Sequence, residues 1–362
     1  MRKLFIFFLF QIGAIFLTLG ISMAQSTDNL SGRIEEVKVP APALTGNLLK
    51  TPDIQNVAVY LPPGYDKNLE QNYAVIYLLH GIFDDRGVWS ENYKVPEILD
   101  RLISTGKIPE LIVVMPDGGN KYGGGYYRNS TVSGHWADYI ADDLVSFIDE
   151  NFRTLAKVDS RAIIGHSMGG YGALNLAMTQ PGVFSVVWAL SPCCLSARDD
   201  LSFGNDAWKR AAAVNSEEDL LDLIEKRDFY PIATIGILNA FSPNAKAPPV
   251  YANFPFDIVR GEVVLDDLLY DRYLDALPSR QVHNTRKALR DLRGLAIGVG
   301  LGDQFLHIPT GTLEFSHRLG QERIPHRLDV YAGDHRQHVS ERLENIILPW
   351  TVQKMVVSNV ER

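Results

Sequence analysis

Gly165-His166-Ser167-Met168-Gly169 reads G-x-S-x-G. The apolar run RAII at 161–164 precedes it, and a helical pattern over Met168–Thr179 follows. A strand that turns abruptly into a helix lifts a serine hydroxyl clear of a sheet, where it can act as a nucleophile. Gly165 and Gly169 leave room for such a turn. The helix N-terminus favours negative charge developing beside the serine. The plainer alternative is a serine that only caps its helix.

A serine hydroxyl needs a base, and the base needs an orienting group. In the chain order serine, acid, histidine, both partners lie late. His335 follows the apolar run at 328–331 in the loop Ala332-Gly333-Asp334-His335, with His338 as second choice. The preceding run, 295–299, leads into Gly300-Leu301-Gly302-Asp303. Asp303 is therefore the expected partner of the His335 ring; Asp334 adjoins that histidine and reaches round to its ring with difficulty. Two backbone N–H groups should form an oxyanion hole. They are those of Met168 and of Ile82, with Phe83 second to Ile82, in the turn after the run 73–79. His80 is read as shaping that turn. Asp84, Trp89, Tyr126, Tyr127 and His166 are the candidate substrate-binding residues. The two tyrosines lie in a glycine-rich segment, 118–127, read as a mobile loop with stacking surfaces. No metal or other cofactor is expected. Gly298-x-Gly300-x-Gly302 has the wrong spacing for a dinucleotide loop, and His335-x-x-His338 lacks a surrounding carboxylate–histidine cluster.

These residues need a scaffold. Runs at 33–39, 57–61, 73–79, 111–115, 161–164, 185–190, 295–299 and 328–331 read as strands, several of them apolar throughout. Trp136, Ile140, Leu144, Phe147 and Ile148 fall on one helical face. Strands alternating with helices predict an α/β fold with a mostly parallel central sheet flanked by helices. About 100 residues between the strands near 190 and 295 show no clear strand, more than a connecting loop uses. Helices are expected there at 208–215, 217–226, 265–277 and 282–292, with a loop over 242–257. Together they form a helical cap insertion at about 195–292, laid over the carboxyl edge of the sheet; a separate folded domain is the alternative.

The 362 residues carry 35 Lys and Arg against 43 Asp and Glu, a net charge of −8. That surface repels phosphate backbones, so no nucleic-acid partner is expected. Met1-Arg2-Lys3, an apolar stretch over 4–21 and Ser22-Met23-Ala24 read as a signal peptide over 1–24. The mature chain, 25–362, should then be periplasmic or secreted and free of membrane; an uncleaved anchor is the rival reading. The only cysteines, Cys193 and Cys194, are adjacent and read as small residues packed at a strand end rather than as a strained vicinal bridge.

The segments VAVYLPPGYD, YAVIYLLHG, VVMPDG, SGHWADYIADDLVSFIDENFRT, RAIIGHSMGGYGALNLA and SVVWALSP, with late GDQF and AGDH, cover about 33–192 and 294–350. In them the chain resembles the esterase D-type family of α/β hydrolases. That group includes feruloyl and acetylxylan esterases, S-formylglutathione hydrolases, enterochelin esterases and mycolyltransferases. The resemblance implies an α/β-hydrolase fold, a Ser167–His335–Asp303 triad and oxyanion donors at Ile82 and Met168. Two features depart from the family pattern: Gln337 stands where many relatives carry an aromatic residue, and the insertion is longer than in compact relatives. The expected activity is hydrolysis of a carboxylic ester of a sugar or small alcohol through an acyl-enzyme. The rivals are transfer of the acyl group to a sugar or glycan hydroxyl, and a catalytically silent carbohydrate-binding protein.

Overall fold

The computed structural model describes residues 31–358, so the signal peptide expected over 1–24 lies outside the described residues. Among those described, eight strands form one sheet: β1 (Arg33–Pro40), β2 (Ile54–Leu61), β3 (Val75–Leu79), β4 (Ile112–Pro116), β5 (Arg161–His166), β6 (Val186–Leu190), β7 (Gly294–Gly300) and β8 (Arg327–Tyr331). Across the sheet their order is β1-β2-β4-β3-β5-β6-β7-β8. β2 runs antiparallel to both neighbours, and every pairing from β4 to β8 is parallel.

The main helices are α1 (Val95–Ser104), α2 (136–151), α3 (Met168–Thr179), α4 (Asp206–Ala212), α5 (Glu217–Glu225), α6 (Phe229–Phe241), α7 (Asp267–Asp275), α8 (Pro278–Arg290), α9 (His307–Gln321) and α10 (339–354). Successive strand residues point to opposite faces, so a sheet covered on both sides must be apolar at every position. In β3, Val75, Tyr77 and Leu79 enter one core layer with residues of α2, α3, α8 and α9. Ile76 and Leu78 enter the other, with residues of α1 and α10. The continuous apolar runs are a direct consequence of that sandwich.

The insertion between β6 and β7 departs from expectation in three ways. First, α6 lies where no element is expected. Its sequence FYPIATIGILNAF is buried at every position from Pro231 to Phe241, so it has no polar face for a periodicity argument to find. Second, strands Phe256–Val259 and Glu262–Leu265 form a hairpin. It turns through Arg260 and Gly261, both at positive φ, the backbone a tight hairpin needs. Only Phe256 of the two strands is buried, so no alternating pattern marks them. Third, α8 packs beside α3 and α9 in the layer flanking the sheet.

Candidate active site

β5 ends at His166 and α3 begins at Met168, leaving Ser167 alone to make the turn. Its backbone sits at φ 58°, ψ −118°, a region that costs a non-glycine residue about 1–3 kcal/mol. Main-chain hydrogen bonds hold it there. Ser167 N–H donates to Leu190 O at 2.9 Å, and Ser167 O accepts from Tyr171 N–H at 3.0 Å and Cys193 N–H at 3.2 Å. The flanking glycines are required by close approach. A Cβ on Gly165 would stand 1.9 Å from Gly169 O, and one on Gly169 would stand 2.0 Å from Leu79 O. Both obstacles are main chain and cannot rotate away. Gly169→Ala should therefore destabilise the fold by about 3 kcal/mol or more. A urea-unfolding midpoint equal to that of the wild type would contradict this account of the turn.

His335 stands in the loop after β8, and Asp303 in the loop after β7. The structure brings them together: Nδ1 of His335 donates to Asp303 Oδ2 at 2.7 Å. The other carboxylate oxygen, Oδ1, accepts from Phe305 N–H at 2.9 Å. Both residues are buried. With its proton held at Nδ1, the ring keeps a lone pair on Nε2, the arrangement a general base needs. Asp334 does not compete for the ring; its Oδ1 accepts from the N–H groups of Arg336 and Gln337 and so fastens the loop. His338, the second choice, pairs instead with Glu341.

Ser167 and His335 line one cavity of about 240 Å³. No hydrogen bond joins Oγ to Nε2 in this state; catalytic contacts of this kind are commonly loose without substrate. Gly81 and Ile82 lie on the same wall. Ile82 N–H donates to no protein group, and Met168 N–H, at the first helical position, has no intrahelical acceptor. Phe83 is excluded as second choice because its N–H already donates to Gly123 O at 2.9 Å. His80 is structural: its Nδ1 donates to Gly81 O, and its Nε2 accepts from Gly118 N–H, both at 2.8 Å.

Of the five candidate substrate-binding residues, the structure places Tyr126 on the cavity wall. The other four, Asp84, Trp89, Tyr127 and His166, are not among the residues that line it. Trp89 is buried against Tyr93. Tyr127 is fully buried and donates its hydroxyl to His80 O. Asp84 is occupied by Arg336, which reaches both its oxygens at 2.8 and 2.9 Å. His166 lies beneath the His335 ring, centroids 4.7 Å apart, and donates from Nε2 to His335 O at 2.9 Å. The segment 118–127, read as mobile, is instead pinned under α6. Tyr126 donates its hydroxyl to Ala233 O, and a Cβ on Gly236 would stand 2.9 Å from Tyr122 O.

Sequence reasoning missed most of the remaining wall. α6 contributes Phe229, Tyr230 and Ala233, and the 304–308 segment contributes Phe305 and His307. Phe229 stacks on Phe305, whose ring meets the His335 ring edge-on at 4.9 Å. Both cysteines also face the cavity.

Burial holds two histidines neutral. It pushes the pKa of His80 below its ordinary value, and burial together with the neighbouring His335 takes His166 well below. The unfolded chain takes up those protons near pH 6.5 while the native chain does not, so acid favours unfolding. Stability should fall as pH drops below about 6.5, by up to about 1.4 kcal/mol per pH unit for each ring. Urea midpoints that stay flat between pH 7.5 and 5 would contradict it.

The family model described as "Putative esterase" matches residues 51–343. The chain belongs to that esterase family. An esterase of Mycobacterium tuberculosis is 37% identical over 134 residues, which are 36% of this chain and 27% of that protein. An endo-1,4-beta-xylanase/feruloyl esterase of Xylanibacter ruminicola is 35% identical over 144 residues, 39% of this chain and 20% of that protein. The esterase-family chain thus aligns with about a quarter of the length of these curated relatives. Among solved structures, a ferulic acid esterase superposes with a TM-score of 0.58 at 20% identity, covering 90% of this chain and 99% of that one. The fold is that of the α/β hydrolases.

Proposed function

We propose that this chain hydrolyses carboxylic esters through an acyl-enzyme on Ser167, and that its substrates are acyl esters of sugars or small alcohols. The observation that carries the proposal is an elbow serine and an Asp303-held imidazole opening onto one cavity. His335 Nε2 takes the Ser167 proton as Oγ attacks the carbonyl carbon. The oxyanion forms beside the N–H groups of Ile82 and Met168. Collapse breaks the carbon–oxygen bond, and His335 returns the proton to the departing alcohol. Water, deprotonated by the same nitrogen, then attacks the acyl carbon; the bond to Oγ breaks, His335 returns the proton to Oγ, and the acid leaves. The aromatic and aliphatic cavity walls suit an acyl group, and the naming of a relative as a feruloyl esterase supports the same substrate class. The composition of residues 1–24 supports export to the periplasm or medium.

Mixing enzyme with excess p-nitrophenyl ester should release close to one equivalent of nitrophenol in a burst, followed by slower turnover. Absence of hydrolysis across p-nitrophenyl, acetylated-sugar and hydroxycinnamoyl esters would overturn the proposal. Product analysis with a competing alcohol separates hydrolysis from acyl transfer.

A further inference from the structure

The cavity wall carries a second carboxylate–histidine pair that the proposed chemistry does not use. His307 opens α9, and Asp200 lies in the segment over the site. Asp200 Oδ1 accepts from both the His307 backbone N–H and the ring Nδ1, each at 2.7 Å. Both residues line the same cavity as Ser167. His307 is 7% exposed, and its Nε2 is buried with no hydrogen-bond partner. The ring lies 6.4 Å from that of Phe305, centroid to centroid, and Phe305 also meets the His335 ring.

A helix cap needs only the backbone contact to Asp200. It does not explain an imidazole held beside a largely apolar chamber with one nitrogen unsatisfied. Buried polar atoms are normally paired, and an orphan at a ligand cavity marks where a ligand group belongs. The state of the ring follows from its neighbour. The pairing with His307 keeps the Asp200 carboxyl below its usual range despite burial, so it is a carboxylate and the ring proton sits on Nδ1. In the neutral ring Nε2 then offers a lone pair and no proton. It can accept a hydrogen bond from a hydroxyl but can give nothing to an ether or a carbonyl oxygen. Tyr230, 36% exposed and lining the same cavity, interacts with Asp200 beside the pair.

We propose that His307, oriented by Asp200, is the specificity-determining residue of the acyl cavity and that it selects acyl groups bearing a hydroxyl. The proposal rests on the esterase reading above and adds the group the cavity recognises. Tyr126 and the stacked Phe229 and Phe305 hold the carbon skeleton. His307 reads the one polar substituent.

The test uses methyl esters of cinnamic acid, its 3- and 4-hydroxy derivatives and the matching methoxy derivatives. A methoxy group keeps the oxygen but removes the proton. The wild-type chain should show at least about tenfold higher kcat/KM for one of the hydroxylated esters than for its methoxy counterpart or the parent, since a site built around a hydrogen bond rejects the analogue that cannot make it. In His307→Phe, and in His307→Leu should the first not fold, that ratio should fall to within about twofold of one. Because the ratio is taken within each enzyme, a general loss of activity does not disturb it. Equal rates on hydroxyl and methoxy esters in the wild type, or a hydroxyl preference surviving in the Phe or Leu chain, would overturn the proposal. Failure of the esterase reading would look different: no ester in the series, the unsubstituted cinnamate included, would be turned over at all.

Discussion

Replacing Ser167 with Ala should lower kcat for any ester the wild type hydrolyses by at least about 10⁴-fold, with the fold intact. Removing Oγ takes away the only atom proposed to bond to the acyl carbon. What remains is the cavity, with the N–H groups of Ile82 and Met168, which can still bind and polarise an ester. Stability should not suffer. The strained backbone at 167 is fixed by main-chain bonds to Leu190, Tyr171 and Cys193, and by close contacts at Gly165 and Gly169. The serine side chain contributes no hydrogen bond to that arrangement. Steady-state rates beside urea-unfolding curves check both halves. A variant that keeps a tenth of the wild-type rate would remove Ser167 from the mechanism.

Asp303→Asn should cost about 10⁴-fold in kcat, the size of effect that a wrong histidine tautomer brings. The two carboxylate oxygens have separate tasks: Oδ1 accepts from Phe305 N–H, and Oδ2 accepts from His335 Nδ1. An asparagine would leave its carbonyl oxygen on the Phe305 N–H and turn its amide NH₂ toward Nδ1. A donor there forces the ring proton onto Nε2, and a protonated Nε2 cannot take the serine proton. Volume and packing barely change, so kcat should fall while the unfolding midpoint stays close to that of the wild type. A loss under tenfold would mean that Asp303 only positions the loop.

Most of what places these groups was legible because it follows from strong local rules. All eight strands of the central sheet were expected. Those buried on both faces must be apolar throughout, and few other arrangements produce YAVIYLL followed by a glycine turn. The elbow was legible because a strand, one turn residue and a helix leave little freedom in the types at 165, 167 and 169. Asp303 and His335 followed from one topological statement, that residues just past β7 and β8 share the edge where Ser167 stands.

The cavity walls were not legible, for physical reasons. α6 is apolar on every side and shows no period. Tyr230 and Asp200 reach the site from the insertion, and His307 from the start of α9, so no single local pattern brings them together. Trp89, Tyr127 and His166 are aromatic or polar residues close in sequence to the site. Nearness in sequence gave no hint that they face the core. The glycine-rich segment 118–127 looked mobile from its composition, yet its backbone is pressed against α6 at Gly236. There its glycines reflect close packing rather than freedom.

The most direct test of the central claim is covalent. A fluorophosphonate reagent should add once per chain, and peptide mapping should place the adduct on Ser167. Labelling should vanish in Ser167→Ala and slow strongly in Asp303→Asn, whose ring can no longer activate the hydroxyl. An active esterase that takes no label, or takes it at another residue, would contradict the account.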